Sequence, residues 1–213
     1  MVTLLYSDTT MIADQEFNFC LKQLPVSMQI DVMRYKNDSD RKSRLLARLM
    51  LLETLKQYGN EGIFTTWDLG NYNKHFIQGW MEFIISNSGN LVLFAYSEQE
   101  LGIDIEQKKE LNYQDIMACL HSKEQELIVS SDNPSETFYD VWVRKEALMK
   151  ALGIGITSGD RYCAIDDVYD SQTGKWTLHP IKIDGDYASC ICVKNRMEQL
   201  VVAEFKPLKM ELQ

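Results

Sequence analysis

Asp104 and Glu106 stand two residues apart in Leu101-Gly102-Ile103-Asp104-Ile105-Glu106. In a β-strand alternate side chains share a face, with Cα atoms roughly 6–7 Å apart. The two carboxylates would then fall on one face, and Ile103 and Ile105 on the other. Two acids on one face repel unless a cation sits between them or water solvates them. On these residues alone a half-exposed amphipathic strand also accounts for the pair. A second group lies downstream in Trp142-Val143-Arg144-Lys145-Glu146-Ala147-Leu148-Met149-Lys150. Trp142, Glu146 and Lys150 recur every four residues, which stacks them on one helix face, with Lys145 adjacent. Taken alone, this also reads as an exposed Glu–Lys pair beside a core tryptophan. Oxygen ligands from Asp104, Glu106 and Glu146, with no His or Cys, would select a hard cation, Mg²⁺ or Mn²⁺. Lysines beside such a site would neutralise the phosphates of a substrate.

Several elements must position these groups. Leu45, Leu46, Leu49, Leu52 and Leu55 repeat at three- and four-residue steps, which predicts a helix from Asp40 as N-cap to a stop at Gly59. Its other face carries Arg41, Lys42, Arg44 and Arg48, and an ordinary solvated surface explains them as readily as a binding role. The β-rich runs around Phe83–Ser86 and Leu91–Ser97 flank Asn87-Ser88-Gly89-Asn90, a strong turn signal. Residues 101–106 make a third strand, and short connections predict an antiparallel meander. One or two helices follow over 112–131, then a helix from Ser135 to Gly153. Short β-like segments fill 154–206: Arg161–Asp167, Lys175–Ile183, Tyr187–Val193 and Leu200–Phe205. The order is helix then strands, twice, which predicts an α+β fold of two similar halves joined near 106–112.

The chain has 213 residues, 45% hydrophobic and 25% charged, an ordinary globular composition. No apolar run is long enough to span a membrane, and the N-terminus lacks the basic and apolar regions of a signal peptide. The net charge of −9 opposes general binding to nucleic acid or an anionic membrane. The five cysteines show no CxxC pair, and the three histidines are scattered, so free thiols in a reducing cytoplasm are expected rather than a zinc site.

Together these residues resemble a 4′-phosphopantetheinyl transferase of the surfactin-synthetase-activating type. That family carries a strand motif close to (I/V)G(I/V)D(I/V)E, matched by Gly102-Ile103-Asp104-Ile105-Glu106. It also carries a helix motif W-x-x-K-E-(A/S)-x-x-K, matched by Trp142 to Lys150. An upstream F-N-I-S-H-S-G element appears as Phe83-Ile84-Ile85-Ser86-Asn87-Ser88-Gly89, and a G-K-P element as Asn73-Lys74-His75. The resemblance runs from about residue 34 to 155. It implies a pseudo-dimer of two α+β halves, 1–108 and 109–213, each a small antiparallel sheet with packed helices, and a site at their junction. It implies a monomer that transfers the phosphopantetheine arm of coenzyme A to a serine of an acyl or peptidyl carrier protein, releasing 3′,5′-ADP.

On that resemblance Mg²⁺ (or Mn²⁺) is held by Asp104, Glu106 and Glu146. Glu146, or water on the metal, takes the serine proton, and Lys150 assists the leaving phosphate with Lys145 nearby. Coenzyme A contacts map to Lys42, Arg44, Lys74, Ser86, Asn87, Lys145 and Lys150. The chain departs from the family in three places. Asn87 replaces the histidine of the turn, His75 replaces the proline after Lys74, and Arg44 stands where a serine or threonine is usual. The expected carrier-docking segment is 107–123, with Lys108, Lys109, Leu111, Tyr113, Ile116 and Met117; an amphipathic helix packed on its own core is the plainer reading. The alternatives are a degenerate member that binds carrier or nucleotide without turnover, and another Mg²⁺-dependent phosphate enzyme.

Overall fold

A computed structural model of the chain describes residues 1–69, 75–110, 114–155 and 160–208. Lys74, Leu111 and Tyr113 lie outside those residues. The leucine stripe sinks Leu45, Leu46, Leu49, Leu52 and Leu55 into the core on helix α3 (Asp38–Gln57). The helix begins three residues earlier than expected, with Asn37 rather than Asp40 as N-cap. Asp40 sits in the first turn, where its carboxylate accepts from Asn37 Nδ2 at 3.2 Å and faces the positive end of the helix. Helices α1 (Asp14–Leu21) and α2 (Val26–Met33) precede it, each too short to declare a clear period.

The first sheet has the order β10-β1-β5-β4. Strand β5 (Leu91–Ser97) lies between β1 (Val2–Asp8) and β4 (Glu82–Ser88), antiparallel to both. Strand β10 (Leu200–Glu204) joins the outer edge of β1 in parallel, with Leu200 opposite Val2. A two-residue ladder, β2 (Asp68–Leu69) with β3 (His75–Phe76), stands apart from it. The second sheet is antiparallel, ordered β6 (Leu101–Gln107), β9 (Tyr187–Lys194), β8 (Gly174–Pro180), β7 (Val168–Ser171). Helices α4 (Gln114–Met117) and α5 (Ser122–Val129) lead to α6 (Pro134–Leu152). Asn133 caps α6 through its side chain, and Gly153 closes it at φ 64°, a left-handed backbone that glycine accepts without strain.

The fold is α+β, and three expectations about its strands are corrected. The meander stops at two strands: β5 already has partners on both edges, so β6 pairs with β9 in the other sheet. By pairing, β6 therefore goes with the second sheet and β10 with the first. Asn87 and Ser88 belong to β4, leaving Gly89-Asn90 as the turn. Residues 162–166 form no strand, because charged side chains take their backbone groups. Glu124 accepts from the Ala164 amide, Lys145 donates to the Tyr162 carbonyl, and Arg144 donates to the carbonyls of Ala164 and Ile165.

The core is layered. Val92, Phe94 and Tyr96 of β5 face α3, while Leu91, Leu93 and Ala95 face Ile103, Ile105, Ile191 and Val193 of the second sheet. The far face of β9, with Cys190 and Cys192, packs on α6. All five cysteines are free thiols, and burial pushes Cys190 up to about 12. Among the described residues no helix is long and apolar enough to cross a membrane.

Candidate active site

Strand alternation carries Gly102, Asp104 and Glu106 to the face of β6 that meets α6. A methyl group at Gly102 would collide with the carbonyl of Ala147 and the amide of Ala151, so the helix backbone lies directly on the strand. That approach brings Lys150 and Glu146 to the two acids. Asp104 is 3% exposed, so the strand is covered on both faces rather than half-exposed. Its Oδ1 accepts from Lys150 Nζ at 2.6 Å and from Ser86 Oγ at 2.9 Å, and Lys150 Nζ also lies 3.3 Å from Ser86 Oγ. Its Oδ2 is buried with no hydrogen-bond partner among the described residues. Glu106 Oε2 accepts from Ser88 Oγ at 2.7 Å, and Ser88 Oγ accepts from the Gln107 amide at 3.0 Å.

The electrostatics are those of crowded acids. Burial pushes the Asp104 carboxyl up, opposed by the Lys150 ammonium and the hydrogen bond from Ser86. Burial also raises Glu106, with the Asp104 charge adding to the rise and hydrogen bonds from Ser88 and Trp142 opposing it. Glu146 is raised by burial and by both neighbouring carboxylates, against Lys150. Three oxygen-only side chains that disfavour one another's charge, one with an orphaned buried oxygen, fit a hard divalent cation in kind. Among the described residues, however, no three His, Cys, Asp or Glu side chains are grouped closely enough to hold a metal ion. In this arrangement the nearest positive charge to Asp104 is the Lys150 ammonium.

Other expected residues are dispersed. Lys145 points into the second core, fully buried, where it pairs with the equally buried Glu124 at 2.7 Å. Adjacent helix residues diverge by about 100°, so Lys145 cannot share the face of Glu146. Lys42 pairs with Asp14 at 2.7 Å and does not line the cleft described next. Lys108 is half-buried on Glu136 at 2.5 Å, and Lys109 is exposed. Ile116 and Met117 pack against the second core, as the plainer reading of that segment expects.

The opposite face of β4 borders a cleft of about 540 Å³. Ile85 and Asn87 line it, as do Arg34, Arg44, Arg48, Trp67 and His75. The strand therefore puts Ser86 and Asn87, both expected to contact coenzyme A, on opposite faces, Ser86 on the carboxylate side and Asn87 on the cleft side. Arg44 lies over the Tyr35 ring at 4.9 Å and Arg48 over Trp67 at 4.8 Å, while Trp67 stacks on His75 at 4.4 Å. Arg48, for which the sequence left a solvated face and a binding role equally open, is 8% exposed. Its spacing gives the signal: it stands three residues after Leu45 and four before Leu52, on the apolar stripe itself. No pattern in the sequence singles out Trp67.

Residues 100–203 match a family model described as the 4′-phosphopantetheinyl transferase superfamily. The chain is similar to 4′-phosphopantetheinyl transferase gsp of Aneurinibacillus migulanus. The two are 30% identical over 145 residues, 66% of this chain and 60% of that protein. It is also similar to 4′-phosphopantetheinyl transferase Sfp of Bacillus subtilis (strain 168), 32% identical over 77 residues, 35% of this chain and 34% of that protein. The matched stretches thus span less than two thirds of the length of either relative.

Proposed function

We propose that the chain, whose residues 100–203 match the 4′-phosphopantetheinyl transferase superfamily, transfers the 4′-phosphopantetheine arm of coenzyme A to a serine hydroxyl of an acyl or peptidyl carrier protein. The observation that carries this reading is the buried Asp104, held between Ser86 and Lys150 with one oxygen unsatisfied, a single strand away from a guanidinium-lined cleft. The cleft seats the nucleotide end of coenzyme A, which leaves the pyrophosphate over the carboxylates. Asp104, Glu106 and Glu146 are the residues that would hold Mg²⁺ or Mn²⁺, which when bound supplies positive charge against the anionic oxygens on phosphorus. Glu146, its proton affinity raised by burial, accepts the carrier serine's proton as the serine oxygen bonds to phosphorus. The pyrophosphate P–O bond breaks, and Lys150 neutralises the departing phosphate of 3′,5′-ADP. Lys108 and Lys109, which follow Glu106 in sequence, receive the carrier. On this reading the protein works as a cytoplasmic monomer, without nucleic acid or membrane.

The test is mass spectrometry of apo carrier proteins, acyl and peptidyl, incubated with coenzyme A, Mg²⁺ and this protein. The expected result is the gain of one phosphopantetheine on the carrier serine. Coenzyme A binding without any mass gain across the panel would favour the binding-only alternative.

A further inference from the structure

Ser86 and Ser88 leave β4 on one face, two residues apart, and meet Asp104 and Glu106, which leave β6 two residues apart. The two strands belong to different sheets. Ser86 to Asp104 at 2.9 Å and Ser88 to Glu106 at 2.7 Å are thus two rungs that join the sheets through the acids themselves. Ser86 is one of the residues expected to contact coenzyme A; Ser88 is not.

The rungs differ in kind. Ser86 shares its carboxylate oxygen with the Lys150 ammonium, which also lies 3.3 Å from the Ser86 hydroxyl. Ser88 Oγ accepts instead from the Gln107 amide at 3.0 Å. A hydroxyl carries one proton. With an amide hydrogen aimed at its oxygen, Ser88 has its own proton left for Glu106 Oε2, so this rung runs in one direction only. The turn behind Ser88 is held as well. The Asn90 amide donates to the Tyr187 hydroxyl of β9 at 3.2 Å, and the Asn90 carbonyl accepts from the Thr9 amide, just past β1, at 2.8 Å. A methyl group at Gly89 would meet the side-chain ends of Gln107 and Tyr187, so little slack remains between the turn and the end of β6.

Glu106 has reason to move without this hold. The Asp104 charge repels it, and a glutamate side chain has rotamers enough to swing toward water. A donor fixed by its own backbone contacts removes that freedom before any ligand arrives. Groups standing behind metal-binding carboxylates act in this way.

We infer that Ser88 is a positioning residue: its hydroxyl, aimed by the Gln107 amide, fixes the Glu106 carboxylate for the binding of a divalent cation. This rests on the proposed function, under which Glu106 is one of three acids that would hold Mg²⁺ or Mn²⁺.

Mn²⁺ is the probe, because electron paramagnetic resonance reports the free ion directly. The parent, Ser88→Ala and Ser88→Thr proteins are titrated with Mn²⁺, with and without coenzyme A. Ser88→Ala should weaken Mn²⁺ binding about ten- to a hundredfold. Ser88→Thr keeps the hydroxyl and should bind as the parent does. In transfer assays the Mg²⁺ concentration for half-maximal rate should rise by the same factor in Ser88→Ala. Its kcat at saturating Mg²⁺ and its KM for carrier should stay near the parent values. A purely structural serine would lower stability and leave the Mn²⁺ constant unmoved. That result, a loss that Ser88→Thr shares equally, or a parent that binds no Mn²⁺ in either titration overturns the inference. Circular dichroism checks the fold. Should Ser88→Ala unfold, Ser88→Cys takes its place, being close in shape and a weak donor. A Mn²⁺ affinity that depends on Ser88, with no carrier modified, would keep the positioning role and reject the transferase reading. Carrier modified with a Mn²⁺ constant indifferent to Ser88 would do the reverse.

Discussion

Lys145 and Lys150 leave the same helix five residues apart and enter two different kinds of site. Around Lys145 every polar group is answered. Glu124 takes the ammonium on Oε2 and the Ala164 amide on Oε1 at 2.7 Å, and also accepts from the His121 amide at 2.8 Å, while Lys145 donates onward to Tyr162. Both side chains are fully buried. Around Lys150 the answers stop short. Asp104 has one oxygen satisfied and one orphaned, two further carboxylates press on it, and the lysine side chain is 30% exposed. A saturated polar network fixes a fold; an unsaturated one retains free energy for binding something else. On the proposed function, the same residue types serve architecture in one place and chemistry in the other.

Removing Asp104 attacks the unsaturated site at its centre. Asp104→Ala should slow carrier modification about ten thousandfold, as loss of one member of a catalytic unit does, about 5.5 kcal/mol of barrier. The fold should persist, because deleting an imperfectly satisfied buried carboxylate also removes its desolvation cost. Near-normal turnover of a folded Asp104→Ala protein would place the chemistry elsewhere. The same operation on the saturated site should do the opposite. Lys145→Met leaves Glu124 charged and alone in the core, at a cost of about 3–5 kcal/mol in urea unfolding, and Lys145→Met with Glu124→Leu should recover most of it. A single variant as stable as the parent would erase the distinction drawn between the two lysines. Lys150→Met should lower kcat about a hundredfold and cost less stability than Lys145→Met, since Lys150 is partly solvated. A stability loss equal to that of Lys145→Met would make Lys150 a structural residue as well.

What could be read in the sequence was local. The spacing of Asp104 with Glu106, and of Glu146 with Lys150, survives folding because strand and helix periods determine which side chains share a face. The leucines of α3 and the stop at Gly153 were legible for the same reason. What failed was pairing at a distance. Nothing near residues 101–107 announces that β5 has no edge left, or that 162–166 surrender their backbone groups to Glu124, Lys145 and Arg144. Lys145 beside Glu146 is a different kind of miss, since neighbours in sequence are not neighbours on a helix. Arg48 was legible in part: the sequence left a solvated face and a binding role open, and its place within the apolar stripe is what decides for burial.

Strand β10 has one more consequence. It completes the first sheet by lying parallel to β1, with residue 200 opposite residue 2. During synthesis the outer edge of β1 must wait until residues 200–204 have left the ribosome. Closing so large a loop makes this a late event, and until then the naked edge is open to chaperones or to the β1 of another nascent chain.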